Sequence, residues 1–360
     1  MAKGDVAPAL LPSTLRPPRA VPRRRHPHHH RRRVRGRPRG RALHRGAPGL
    51  FAELLRAEGR RAPGVAASEG CPRRLGGALV GPRGQRRALD PGGGGLAHPG
   101  ADPRVAPSLA TAIASSSTFL LVLAYDGTDY RGWQIQPDAR TVQGVLRDAA
   151  RRLAADARVT GASRTDAGVH ALRQVASLTL SRELTPRVVV RALNATLPRD
   201  VRVREAREAR HEFDARRAAL GKRYAYLIDN GAVPNPLLSR YAWHVPGALD
   251  VGAMRRALAP LRGRHDFGAF CAAPGRAKDP MCDVRALHVV RRRDRVAVLL
   301  SADRFLHHMA RNLVGSAVAV GRGSREPDWL RAVLDSRDRR LAGATAPAQG
   351  LTLVRVRYPR

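Results

Sequence analysis

Hydrophobic and polar positions fall into two regimes along the chain. Over residues 1–118 the apolar residues keep neither a two-residue nor a 3.6-residue spacing, and tracts such as RRRHPHHHRRRVRGRPRGR and DPGGGGLAHPG predict a disordered leader. From Phe119 the texture changes. FLLVLAYDG predicts a buried strand stopped by Asp126-Gly127. Thr141 is placed to cap a helix over TVQGVLRDAARRLAAD, in which Val142, Leu146, Ala149 and Leu153 share one face and Arg147, Asp148, Arg151 and Arg152 point elsewhere. QVASLTL alternates as a strand, PRVVVRALNATLP predicts a helix closed by Pro198, and VRVREA a further strand. The mixture returns with KRYAYLI as a strand, DVGAMRRALAPLRG as a helix and a strand region near 284–302. HHMARNLVGSAVAVG and EPDWLRAVLDSRD then predict helices, and LTLVRVRYP a terminal strand of period two. The expected fold is α+β: two mixed halves with antiparallel sheets, 119–215 and 216–360, joined near 214–221 and preceded by the leader 1–118.

Composition adds a partner class. The chain has 360 residues and 43% hydrophobic residues, enough for real cores, and carries 66 Lys and Arg against 29 Asp and Glu, a net charge of +37. The excess survives without the leader, since residues 119–360 alone carry 43 basic and 23 acidic residues. A polyanion such as RNA or DNA is the natural partner of such a surface, although a lopsided Arg usage with only Lys3, Lys222 and Lys278 also fits GC-rich coding. Cys71, Cys271 and Cys282 form no C-x-x-C pair, which argues against a disulfide framework or a zinc ribbon and for a reducing cytosol. No stretch approaches 18 uncharged apolar residues, so neither a membrane span nor a secretory signal is expected. His26, His28, His29 and His30 lie in the leader and are read as a tract without a metal site.

Three stretches concentrate chemistry. In GASRTDAGVHA, Gly161 and Gly168 permit backbone angles other residues resist, which predicts a loop between strands. Asp166 within it is ionised at neutral pH and needs no activating base to act as a nucleophile, only orientation and exclusion from water; an Asx-type turn is the equal alternative. In FLHHMARNLVG, His307 and His308 are adjacent, so on a helix they diverge and cannot form a two-histidine metal pair. Arg311, among apolar Met309, Leu313 and Val314, either faces solvent or requires a carboxylate, and Asp166 is a candidate. Tyr224 and Tyr226, beside Lys222 and Arg223, are either core residues or an aromatic face that stacks a base.

Taken together, YDGTDYRGWQIQ, GASRTDAGVHA, NATLP, FDARRAALGKRYAYLI, FLHHMARNLVGSAVAVG and ATAPAQGLTLVRVRYP resemble, in order and approximate spacing, tRNA pseudouridine synthase A, the TruA family. The resemblance covers residues 119–360. It implies a cofactor-free, metal-free isomerase acting on tRNA uridines of the anticodon arm, in the 38 to 40 region, as a cytoplasmic homodimer. It further implies that Asp166 is the nucleophile, that Arg311 pairs with it, and that Tyr224 packs on the target uracil. Arg164 would meet the extruded nucleotide and Leu351 would line the base pocket. Such an enzyme must expose its target base and keep the detached ring from escaping. Ser163 stands where many family members have Gly, and APGRAKDPMCDVRAL matches only loosely.

Two other classes compete. A noncatalytic RNA-binding module would need only charge and tyrosines, and has no use for the set Asp166, Arg311 and Tyr224. A metal-dependent hydrolase would use His170, His307 and His308, for which no ligand spacing speaks. The leader is expected to be dispensable for chemistry. No methionine lies between Met1 and Met254, so a shorter product would start at a non-ATG codon, with Val105 or Leu109 suitably placed; a targeting role is the alternative for an Arg-rich, acid-poor leader.

Overall fold

The computed structural model describes residues 116–272 and 279–359. The leader up to residue 115, with its histidine tract and Cys71, lies outside the described residues, as do 273–278 of the loosely matching segment.

Ten strands form one sheet among the described residues, in the order β4-β1-β3-β10-β5-β9-β8-β7, with β2 pairing β3 and β6 pairing β5. The first group is β1 (Ser117–Tyr125), β2 (Arg158–Gly161), β3 (His170–Leu180) and β4 (Val201–Ala209). The second is β5 (Gly221–Asp229), β6 (Trp243–His244), β7 (Gly263–Asp266), β8 (Met281–Arg292) and β9 (Arg295–Ala302). The last strand, β10 (Leu351–Arg357), inserts between them, parallel to β3 and antiparallel to β5. The strand groups are therefore continuous through β10, and the mostly antiparallel sheet contains two parallel pairs, β10 with β3 and β6 with β5.

Strand alternation decides what each face buries. On β5, Tyr224, Tyr226 and Ile228 join the main core, while Ala225 and Leu227 face a smaller cluster with Leu238 and Ala242. Val296, Val298 and Leu300 of β9 repeat the pattern against Ala297 and Leu299. The main core takes the apolar stripes of α1 (Val142–Arg151), α2 (Pro186–Thr196), α3 (Val251–Leu258), α4 (Met309–Gly321) and α5 (Trp329–Ser336). The α1 cap is as expected: Thr141 Oγ1 accepts from the Gly144 amide at 3.2 Å, an arrangement worth about 1 kcal/mol. No helix among the described residues is long and apolar enough to cross a membrane.

Helix α4 carries unusually little polar surface because it is packed almost all round. Gly315 is what lets it approach the 344–346 segment that leads into β10: a Cβ there would stand 1.8 Å from the Ala344 carbonyl oxygen. Ala346 completes the junction, its amide donating to the Arg311 carbonyl at 3.2 Å. Gly315→Ala is expected to push these segments apart, cost about 1–3 kcal/mol, and lower the thermal midpoint by several degrees. An unchanged midpoint in calorimetry would show that the approach is not tight.

Candidate active site

Asp166 reaches its place through a short loop. β2 ends at Gly161 and β3 begins at His170, so GASRTDAGVHA is a connection between paired strands as expected. Gly168 has the positive φ foreseen for it, 77°. Gly161 does not: it is needed because a Cβ would fall 2.3 Å from the Trp133 indole, a space constraint rather than a backbone one. Buried hydrogen bonds set the loop from below. Gln174 Nε2 donates to the Ser163 carbonyl at 2.7 Å, Tyr125 Oη and Thr165 Oγ1 lie 2.8 Å apart, and the Trp133 amide donates to the Thr165 carbonyl at 3.0 Å.

Within this loop the Asp166 carbonyl accepts from the Val169 amide at 3.1 Å, closing a turn. Its carboxylate bonds no backbone amide of the described residues, which removes the Asx-turn alternative. The carboxylate instead faces a cavity of about 500 Å³. Arg311 Nη1 stands 3.2 Å from Asp166 Oδ2, and its side chain is 14% exposed against 25% for the aspartate. Arg311 Nε donates to the Ala346 carbonyl at 2.8 Å, so the guanidinium is fixed at both ends and is not a solvent-facing arginine.

Tyr224, Arg164 and Leu351 line the same cavity, so all five residues named from the sequence meet there. Tyr224 is buried, its ring edge-on to Phe305 at 5.1 Å. Burial pushes its hydroxyl up to about 12; a hydrogen bond with Ser163, 3.0 Å away, opposes this and the Asp166 charge adds to it. Arg164 is exposed and makes no hydrogen bond or ion pair with any described residue. Tyr226, read with Tyr224 as one aromatic face, is below the cavity, donating to the Pro347 carbonyl at 2.7 Å.

The histidines are placed differently from expectation. His307 and His308 precede α4, and His308 has a left-handed φ of 59°, so the two rings stack at 3.9 Å instead of diverging. His308 Nε2 lies 3.4 Å from Asp166 Oδ2. Ligand atoms of Asp166, His307 and His308 fall within 4.8 Å of one another, a set that offers three donors to a metal, but Arg311 already holds that carboxylate oxygen and repels a second cation. His170 belongs to no such set: it is buried away from the cavity, its Nε2 donating to the Gln349 carbonyl at 3.1 Å and its Nδ1 accepting from the Gly127 amide at 3.0 Å. The histidine trio of a hydrolase is therefore not assembled.

Burial holds the His308 imidazole below its ordinary value of 6.5, the Asp166 charge opposing and His307, Arg311 and Arg339 assisting. The unfolded chain thus takes this proton more readily than the folded one. The associated stability is complete above about pH 6.5 and is lost as the pH falls through the lower folded value. Urea midpoints between about pH 5 and 8 are expected to decline less steeply on acidification in His308→Gln than in the parent protein. Parallel curves would show that the ring is solvated like a free histidine.

A carboxylate clamped by arginine beside a buried tyrosine is the arrangement the family resemblance implied, and comparison with known proteins bears on the family itself. A family model described as tRNA pseudouridine synthase matches residues 121–216 and 257–359. A tRNA pseudouridine synthase A of Methylobacterium nodulans is 47% identical over 243 residues, 67% of this chain and 96% of the relative. That of Myxococcus xanthus is 46% identical over 240 residues, 66% of this chain and 91% of the relative, and that of Chloroflexus aurantiacus 45% over 250 residues, 67% and 89%. With the matched residues spanning both sides of the cavity and more than half of the chain, the protein belongs to the tRNA pseudouridine synthase family.

Proposed function

We propose that this protein is an isomerase that converts tRNA uridines to pseudouridine with Asp166 as the nucleophile. The observation that carries the reading is the Asp166 carboxylate in a cavity of about 500 Å³, paired with Arg311 at 3.2 Å and lined by Tyr224. The reaction is balanced within the substrate. The N1–C1′ bond breaks, C5 bonds to C1′, the C5 proton leaves and N1 takes one up, so no redox partner or group donor is required. Asp166 supplies the transient bond to the nucleotide, Arg311 holds its carboxylate in place, and Tyr224 stacks on the uracil. Leu351, buried at the start of β10, closes the apolar wall that retains the detached ring, and Arg164 meets the extruded nucleotide.

The finer reading follows the family resemblance: uridines in the 38 to 40 region of the anticodon arm, a cytoplasmic homodimer with tRNA lying across both subunits, and chemistry confined to residues 119–360 in halves divided at 215/216. Family-model matches beginning at residue 121 support that confinement. Asp166→Ala and Asp166→Asn are expected to abolish pseudouridine formation while tRNA affinity changes by less than about tenfold, because the carboxylate makes the bond and the basic surface provides the binding. The parent protein is expected to keep its turnover in excess EDTA. Pseudouridine from the purified alanine variant would remove Asp166 from the chemistry, and inhibition reversed by added zinc would favour a metal-dependent route.

A further inference from the structure

A second cavity, of about 540 Å³, adjoins the Asp166 cavity. The two share Arg216, Lys222, Phe305 and Leu306, so these four residues form the passage between them. Phe305 is the ring that buttresses Tyr224, which puts the passage next to the position of the target base. The cations here are of two kinds. Arg304, on the second cavity, is engaged in structure: Nε donates to the Met281 carbonyl at 2.9 Å and Nη2 pairs with Asp279. Asp303 is likewise occupied, accepting from the Asp283 and Arg304 amides at 2.9 and 2.6 Å.

Lys222 and Arg216 are not so engaged. Lys222 is fixed by its backbone between Val356 of β10 and Ala302 of β9, and its side chain is partly buried. Arg216 is held by its amide, which donates to Asp214 Oδ1 at 2.7 Å. Neither the ammonium nor the guanidinium makes a hydrogen bond or ion pair with any described residue. Burial lowers the Lys222 pKa, Arg216 lowers it further, and Asp303 acts against both without reaching contact. A cation stripped of part of its water without a counterion carries a free-energy cost that an arriving anion removes.

We propose that Lys222 and Arg216 together bind one backbone phosphate flanking the flipped nucleotide, where the polynucleotide passes from the second cavity into the Asp166 cavity. The inference rests on the tRNA reading above and specifies its contact chemistry. A base held against Tyr224 remains attached to its chain, so its phosphodiester must leave the cavity past a wall, and this wall presents two unpaired positive charges. Lys222 serves as a point charge on a strand-anchored stem, and Arg216 as a fork from the solvent side.

The test is tRNA binding across a salt series by the full chain, with Lys222→Met, Arg216→Met and the double variant. Each single variant is expected to weaken binding about threefold to tenfold near 0.1 M salt. The slope of log affinity against log salt should fall by about one unit, and the double variant should lose no more than about that same unit because both residues address one phosphate. Lys222→Arg should restore most of the affinity. A tRNA carrying a neutral methylphosphonate beside the target uridine should bind the parent protein more weakly than unmodified tRNA does, but should bind the double variant no more weakly than unmodified tRNA does. Parent affinity and slope in Lys222→Met, or an equal loss with the methylphosphonate in parent and double variant, overturns the proposal. So does a variant whose melting temperature falls while its tRNA affinity stays unchanged. Absence of pseudouridine from tRNA treated with the parent protein would instead refute the assigned function, whatever the salt slopes.

Discussion

A carboxylate facing a cavity walled by Tyr224, Phe305 and Leu351 calls for a fixed positive partner, and Arg311 is that partner. Asp166 enters from a loop between β2 and β3, and Arg311 from a helix that begins after β9. Bringing them to 3.2 Å requires the two strand groups to be locked together. The chain achieves this with its last strand, since β10 pairs with both β3 and β5 and the segment just before it bonds Arg311 through Ala346 in both directions. Gly315 sets how near that segment can approach, and Leu351 follows it directly into the cavity wall. Core packing, sheet order and the electrostatics of the site are thus one arrangement.

The surrounding charges divide by whether they are already answered. Arg140 pairs with Asp200, Arg240 with Asp126 and Asp129, and Arg173 with Glu205, each within 3.3 Å. Such exposed pairs contribute little to stability, but they leave those arginines with a protein partner. Arg164, Arg216 and Lys222 have none among the described residues, and all three line the Asp166 cavity. Unanswered cations gathered at a cavity in a chain of net charge +37 suit an anionic polymer better than a small neutral substrate.

Elements with a sustained period were readable in the sequence. LTLVRVR, KRYAYLI and the 3.6-residue spacing from Val142 to Ala149 reappear as β10, β5 and α1: the helix buries one apolar stripe, while each strand sends one face to the main core and the other to the smaller cluster. β2, β6 and β7, of four, two and four residues, are too short to show a period and exist through pairing with longer neighbours. The insertion of β10 between β3 and β5 is a long-range contact that no local pattern encodes. The site divides the same way. A costly unpaired arginine pointed from Arg311 to a carboxylate, whereas the stacked His307 and His308 depend on one left-handed residue at the start of α4. Gly161 shows a signal read correctly for the wrong cause, since its reason, the Trp133 indole, lies 28 positions earlier. The Ser163 contact to Tyr224, 3.0 Å, joins the 162–169 loop to β5, residues 61 positions apart that no local pattern links.

The most direct measurement of the central pairing is a double-mutant cycle in urea with Asp166→Asn, Arg311→Gln and the two combined. Each single change removes one partner of a pair that is largely withdrawn from water, while the Arg311 contact to Ala346 is altered equally with and without Asp166 and cancels. The predicted coupling is favourable and above about 1 kcal/mol. Single-variant effects that add to within about 0.5 kcal/mol would contradict the account, showing that Arg311 is held by Ala346 alone and that Asp166 is aimed by its own loop.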